Sequence, residues 1–421
     1  MTNPSRSFAS VLRTSLWALA VALTTLAAQC ANAQTYEVLH SFSGGGDGGY
    51  PLAGVTIDRA GNLYGTTFAG GSHDGGSVYE LKPHNGSWTL SMLYSFSGND
   101  GAGPAAGVVF GPDGNLYGTT QYGGNASRYC DSSCGTVFKL RPPAHLCASL
   151  SCSWTETVLH AFTGMDGGNP AYVNLVFDQA GNIYGTTYNG GAIGILRGMG
   201  TVFELTSSGG NWSLAGIHVF QGDDGAHPLS GVLLDQAGHV FGTTSEGGTG
   251  MCGSGTCGTV FQLTRSGSVW AQNFLYSFSG GSDGDTPVGG LIFDSSGNIF
   301  GSTANIDTVF QLTPSGGSWS YSLLHTFGDG GGNECGPRGN LVMDSAGNLY
   351  GVTYCSAPNG AAFKLTPSGD GNWTYTLLHA FEGSGGIFPG GSVALDANGN
   401  LYGTASGGGQ SGNGVIWKIT P

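Results

Sequence analysis

The stretch DRAGNLYGTT, residues 58–67, returns in degenerate form six more times along the chain, and no other feature restricts its fold so tightly. The copies align on Leu63-Tyr64, Leu116-Tyr117, Ile183-Tyr184, Val240-Phe241, Ile299-Phe300, Leu349-Tyr350 and Leu401-Tyr402. Three companion segments travel with each copy. In the first repeat AGVTID precedes it, and GSVYELKP and WTLSMLYSF follow. All four are short, alternating or rich in β-branched and aromatic residues, and none has a helical period. Repeats of this length with four strands each fit propeller blades. The strands are labelled A to D from the inside outward. The A-to-B connection reads D-x-x-G-N, led by Asp58, Asp178, Asp235, Asp294, Asp344 and Asp396, with Gly111 in blade 2. Such a carboxylate can cap its own turn while the glycine takes a left-handed conformation.

The chain is therefore expected to be all-β: a seven-bladed β-propeller of four-stranded blades. YEVLHSF (36–42) is a D strand that precedes any A strand, and the last repeat stops at the end of strand C. Pairing residues 36–42 with 414–420 would complete blade 7 and remove two exposed edges. Residues 34–421 then form a single domain. Residues 1–33 read as a signal peptide, with Arg6 and Arg13 before an apolar run and Ala31-Asn32-Ala33 at the cleavage site; Cys30 is the alternative, as a lipoprotein site. The expected product is secreted, extracellular or periplasmic, monomeric and without a membrane span. Loss of the two arginines takes the net charge from −14 to −16, which disfavours nucleic acid as a partner.

Eighty glycines and only 9% charged residues suit many short strands joined by tight turns. Beyond Cys30 eight cysteines remain, and six lie in local pairs: Cys130 with Cys134, Cys147 with Cys152, Cys252 with Cys257. Cys335 and Cys355 are left for each other. In an oxidising compartment these read as loop disulfides.

The run LYSFSGGSDGDTPVGGLIFDSSGNIFGST followed by TVFQLTPSGGSWS resembles the GloVer-type repeat of choice-of-anchor tandem repeat proteins. The D-x-x-G-N-x-Y element is similar, more distantly, to the inner hairpins of NHL-type propellers. The resemblance covers essentially all of residues 36–421, and it implies a secreted or surface protein.

Symmetry separates scaffold from function, because a catalytic group is needed once. His40, His160, His218, His325 and His379 share one place in strand D with Tyr94 and Tyr276, and read as strand residues. Trp88, Trp154, Trp212, Trp270, Trp319 and Trp373 head strand D and read as blade-to-blade packing, with a rim of sugar-binding aromatics as the functional alternative. The D-to-A and B-to-C loops vary, open on one face, and are longest in blades 2 to 4, so binding is expected there. His227, Asp285, Glu334, Arg338, Glu246 and Arg128 break symmetry on that face without any spacing that signals a nucleophile, a metal triad or a carboxylate couple; the catalytic residues stay unknown. Five D-to-A loops read D-G-x-x-P. Their Asp47, Asp100, Asp166, Asp224 and Asp283, with Asp329 in blade 6, are expected around one mouth of the channel, where they could hold a weak calcium ion. Two functions follow: a binding or interaction module whose loop face takes a glycan, a peptide or a surface protein, or an extracytoplasmic enzyme, a hydrolase or lyase, with its site at the channel mouth.

Overall fold

The computed structural model describes residues 34–130, 132–143, 154–191, 198–252, 255–328, 336–355, 359–369 and 371–421. The expected signal peptide (1–33), Cys147, Cys152, Asp329, Glu334 and Cys335 lie outside the described residues. Within them the chain forms seven antiparallel blades in which strands A, B, C and D are neighbours in that order. Blade 1 shows the pattern, with A at Thr56–Ile57, B at Leu63–Thr67, C at Ser77–His84 and D at Ser87–Ser95. Thr35–Ser41 pairs antiparallel with Val415–Thr420, from Thr35 opposite Thr420 to Ser41 opposite Val415, so the first strand closes the last blade.

The polar side chains of the repeated decapeptide hold its turn and tie it to its neighbours. Asp58 Oδ1 accepts the backbone N–H groups of Ala60 and Asn62 at 2.8 and 2.9 Å, and its Oδ2 accepts the Asn62 amide at 2.8 Å. The Tyr64 hydroxyl adds a bond at 3.2 Å. Blade 2 has Gly111 at the head of this turn and recovers the network from Asp113, two residues on, which binds Asn115, Tyr117 and Lys139. Thr66 donates to the Ala106 carbonyl of the next blade at 2.8 Å, and Thr67 pairs with Ser77 of its own strand C at 2.6 Å. The glycine between Tyr and Thr serves packing and not a turn. The Phe261 ring of strand C abuts Gly242 in blade 4, and a Cβ there would stand 2.6 Å from its Cζ.

Hydrophobic clusters fill the seams between blades. Tyr64, Val78 and Phe96 of blade 1, for example, pack on Val108, Leu116 and Phe138 of blade 2. The strand-D tryptophans join these seams: Trp212 stands edge-on to Tyr117 at 6.4 Å and Trp373 to Phe300 at 6.0 Å. The five histidines take strand places, each edge-on to the phenylalanine two residues on, as His218 does to Phe220 at 4.7 Å. Two of the expected disulfides are present, Cys130–Cys134 with Cα atoms 5.4 Å apart and Cys252–Cys257 at 5.3 Å. Each closes a small hairpin in a B-to-C loop. Cys355 is also disulfide-bonded.

Candidate functional site

Each blade sends its chain from strand D back to strand A across the loop face, and these crossings build the mouth of the axial channel. Tyr50, Asn169, His227, Thr286 and Phe388, each just before a proline, sit at φ of 54°, 55°, 54°, 52° and 58°. That left-handed conformation costs a non-glycine residue on the order of 1–3 kcal/mol. Backbone bonds hold it in place on both sides. The His227 N–H donates to Met199 of the preceding blade at 2.8 Å, and its carbonyl accepts from Ser245 at 3.2 Å. The side chains at these places, and those just after each strand B, differ from blade to blade.

Below the loops the channel is nearly shut. The segments before each strand A press together so closely that a Cβ on Gly54 would stand 1.8 Å from the Ser392 carbonyl oxygen. Asn174 and Asn340 replace glycine at this level in blades 3 and 6. Their Oδ1 atoms accept from the Gly107 and Gly290 N–H groups at 3.2 and 2.7 Å. Above this floor lies a cavity of about 270 Å³ lined by Tyr172, Tyr188, Tyr354, Arg338, Glu246 and Thr286 among others.

The cavity is polarised. On one side the Arg338 guanidinium lies over the Tyr354 ring, 4.3 Å from its centroid, and Tyr354 stacks on Phe388 at 5.3 Å. Desolvation pushes the Tyr172 hydroxyl up in pKa while the Arg338 charge pulls it back. On the other side Tyr188 is raised by burial and by the Glu246 carboxylate, and His227 packs on Tyr188 at 4.7 Å. Tyr50, Tyr122 and Tyr172 are 47%, 40% and 47% exposed around the rim, a large aromatic surface to leave in water.

Of the side chains singled out from the sequence, the structure brings Arg338 and Glu246 to this cavity, with His227 behind Tyr188. Arg128 lies over Tyr129 on the disulfide hairpin of blade 2, and Asp285 is buried in a strand segment opposite Asn305. The aspartates expected around the mouth are held one per blade against strand D, the outermost strand. His160 Nε2 meets Asp166 at 2.9 Å, His218 meets Asp224 at 3.0 Å and His40 meets Asp47 at 3.4 Å. The Tyr94 and Tyr276 hydroxyls donate to Asp100 and Asp283 at 2.5 and 3.0 Å. Each carboxylate also caps a turn, as Asp100 does by accepting the Ser97 N–H at 2.8 Å. Burial raises these carboxyls, and the hydrogen bonds outweigh it and hold all five below the usual range. Among the described residues no three His, Cys, Asp or Glu side chains converge as a metal site would require, which a shared calcium ion would need. The tyrosines of the cavity were not singled out from the sequence, although their signal was there. Tyr188 and Tyr354 directly follow the strand-B repeat, at the first place where the blades stop agreeing.

Solved structures share the architecture at low identity. Virginiamycin B lyase from Staphylococcus aureus superposes with a TM-score of 0.55 and 12% identity, covering 92% of this chain and 99% of that one. A putative 6-phosphogluconolactonase from Bacteroides fragilis gives 0.53 and 16%, covering 84% and 88%. The periplasmic gluconolactonase of Pseudomonas aeruginosa gives 0.52 and 15%, covering 83% and 93%. These likenesses establish the propeller and nothing of its chemistry. No curated protein matches the sequence. The profile of one repeat family does match, over residues 25–256, 131–334 and 249–421, and the chain belongs to the Gloeobacter/Verrucomicrobia repeat family.

Proposed function

We propose that the protein is an exported binding module whose ligand site is the mouth of the axial channel, taking a ligand the size of one sugar residue or a peptide end. The carrying observation is the cavity of about 270 Å³, lined by Tyr172, Tyr188 and Tyr354 together with Arg338 and Glu246, all at places where the seven-fold repeat breaks. Aromatic rings give apolar area at low entropic cost, and a few polar groups fix orientation. The disulfides are compatible with an oxidising compartment, and among the described residues no helix is long and apolar enough to cross a membrane. A second reading, an enzyme acting at the same mouth, is favoured by one fact: the two charged side chains lining the cavity, Arg338 and Glu246, occur once each. A glycan and peptide screen on the mature chain separates the two readings, with product analysis of every hit. A bound, unchanged ligand supports the module. Tyr354→Ala and Arg338→Ala should each weaken it about 10- to 30-fold, while Arg128→Ala leaves it unchanged. Equal binding by the two mouth variants would place the ligand elsewhere.

A further inference from the structure

Symmetry also breaks on the opposite face, at one pair of positions in two adjacent blades. The aromatic residue of strand B stands across from one residue of strand C: Tyr64 opposite Glu80, Tyr117 opposite Lys139, Tyr184 opposite Glu204, Tyr350 opposite Lys364 and Tyr402 opposite Lys418. In these five blades a charged group engages the ring or its hydroxyl. The Tyr64 and Tyr184 hydroxyls donate to Glu80 and Glu204 at 2.7 Å. The lysine ammonium groups lie 5.4, 5.6 and 5.9 Å from the rings of Tyr117, Tyr350 and Tyr402. Blades 4 and 5 change both partners together, to Phe241 opposite Gln262 and Phe300 opposite Gln311.

Both altered pairs adjoin a cleft. Beside Gln262 a cleft of about 630 Å³ runs past Asn273 to Trp319 of blade 5. Beside Gln311 another, of about 610 Å³, is lined by Phe300, by Met343 and Trp373 of blade 6, and by the turn carboxylates of Asp294 and Asp344. Each indole is itself held edge-on by a phenylalanine, Trp319 by Phe241 at 6.5 Å and Trp373 by Phe300 at 6.0 Å. We propose that these two clefts are successive subsites for a neutral polysaccharide. An indole offers a flat apolar face to the C–H surface of a sugar ring. A primary amide both donates and accepts, as sugar hydroxyls do, whereas lysine only donates and carboxylate only accepts. Neither lining includes a lysine or arginine, and the second carries the Asp294 and Asp344 carboxylates, so an anionic polymer is disfavoured, while repetition of the glutamine and tryptophan one blade apart suits a chain that repeats. This wall is separate from the channel mouth and does not depend on its function.

The internal repeats supply the variants that test it. Phe241→Tyr with Gln262→Glu installs the pair native to blade 1, and Phe300→Tyr with Gln311→Lys installs that of blade 6, so both should fold with near-parental melting. Isothermal titration of the mature chain with cellohexaose, xylohexaose and maltohexaose should give binding to at least one, with hexagalacturonate not bound. Each double variant should weaken that binding about 10-fold or more, and Trp373→Phe less severely. Tyr354→Ala at the mouth should leave it unchanged. Absence of binding by all three neutral oligosaccharides overturns the proposal, as does undiminished binding by both double variants or loss of binding in Tyr354→Ala.

Discussion

Glu156 shows how far one residue can depart from the repeat without breaking it. It pairs with Leu140 in strand D of blade 2, as Gln272 pairs with Leu263 in blade 4. Gln272 uses this place to donate to the Asp224 carbonyl at 2.7 Å, linking blade 4 to the loop from blade 3. Blade 7 puts Tyr36 here, stacked on His379 at 3.7 Å. Glu156 brings a carboxyl whose buried Oε1 has no hydrogen-bond partner among the described residues. Burial, and then the charge of Asp100, raise it to about 7. A raised acid contributes fully below its unfolded value, near 4.5, and that contribution is lost as the pH rises through about 7. Glu156→Gln, the residue blade 4 uses, should therefore stabilise the protein at pH 8 by about 1–2 kcal/mol after allowance for partial solvent screening. In a domain of this size that is a melting rise of roughly 1–3 °C. At pH 4 the gain should vanish; calorimetry showing the same shift at both values would mean the carboxyl does not titrate as described. Neither this glutamate nor the cavity tyrosines were singled out from the sequence. The tyrosines carry no charge and lie outside the seven-fold repeat, and only the end of the agreement between blades marks them.

The element best read from sequence is the A-to-B hairpin, because all its determinants lie within seven residues. Asp344 shows the full set: its Oδ1 accepts the Ala346 and Asn348 N–H groups at 2.9 Å, and its Oδ2 accepts the Asn348 amide at 2.7 Å and the Tyr350 hydroxyl at 3.0 Å. Burial raises this carboxyl and the bonds outweigh it, so its pKa is lowered in the folded state. A depressed acid contributes above its unfolded value, near 3.8, and its contribution fades as the pH falls through the lower, folded value. Asp344→Ala should cost about 1–3 kcal/mol at pH 7 and much less at pH 2, measured as urea midpoints. An equal cost at both values would show that the charge is not what organises the turn. The D-to-A loops carry a similar aspartate, yet their position did not follow from the sequence. The partner of Asp166 is His160, six residues back on the outermost strand. A direction of travel toward the channel did not reveal that the side chain points the other way. Strand A was also shorter than it reads, because the residues before it serve the channel floor. The packing role of the strand-B glycine was not legible, since the ring that covers it comes from another strand.

Across the whole molecule, seven similar blades must close into a ring, and closure rests on Thr35–Ser41 in register with Val415–Thr420. This seam is bonded and packed like the others. Phe42 and Leu39 lie with Tyr79 and Leu81 of blade 1, while Tyr36 and Val38 pack on the cluster around Trp417 and Phe381. Its side chains add hydrogen bonds of their own: Ser41 Oγ accepts the Gln410 N–H at 2.7 Å, and the Asn413 amide donates to the Ser43 carbonyl at 2.8 Å. Burying each large apolar side chain is worth about 1.5–3 kcal/mol. Loss of four of them would remove about 6–12 kcal/mol, comparable to the roughly 5–15 kcal/mol by which a domain is stable. Deletion of residues 34–43 should therefore leave a protein that is unfolded or aggregated through the bared edge of Val415–Thr420. A synthetic peptide of residues 34–43 should restore a cooperative melt in a concentration-dependent way, because it binds only the folded ring. Light scattering and calorimetry with and without the peptide decide the matter. A truncated chain that stays free of aggregation and melts within a degree of residues 34–421 would mean that the ring does not depend on this strand.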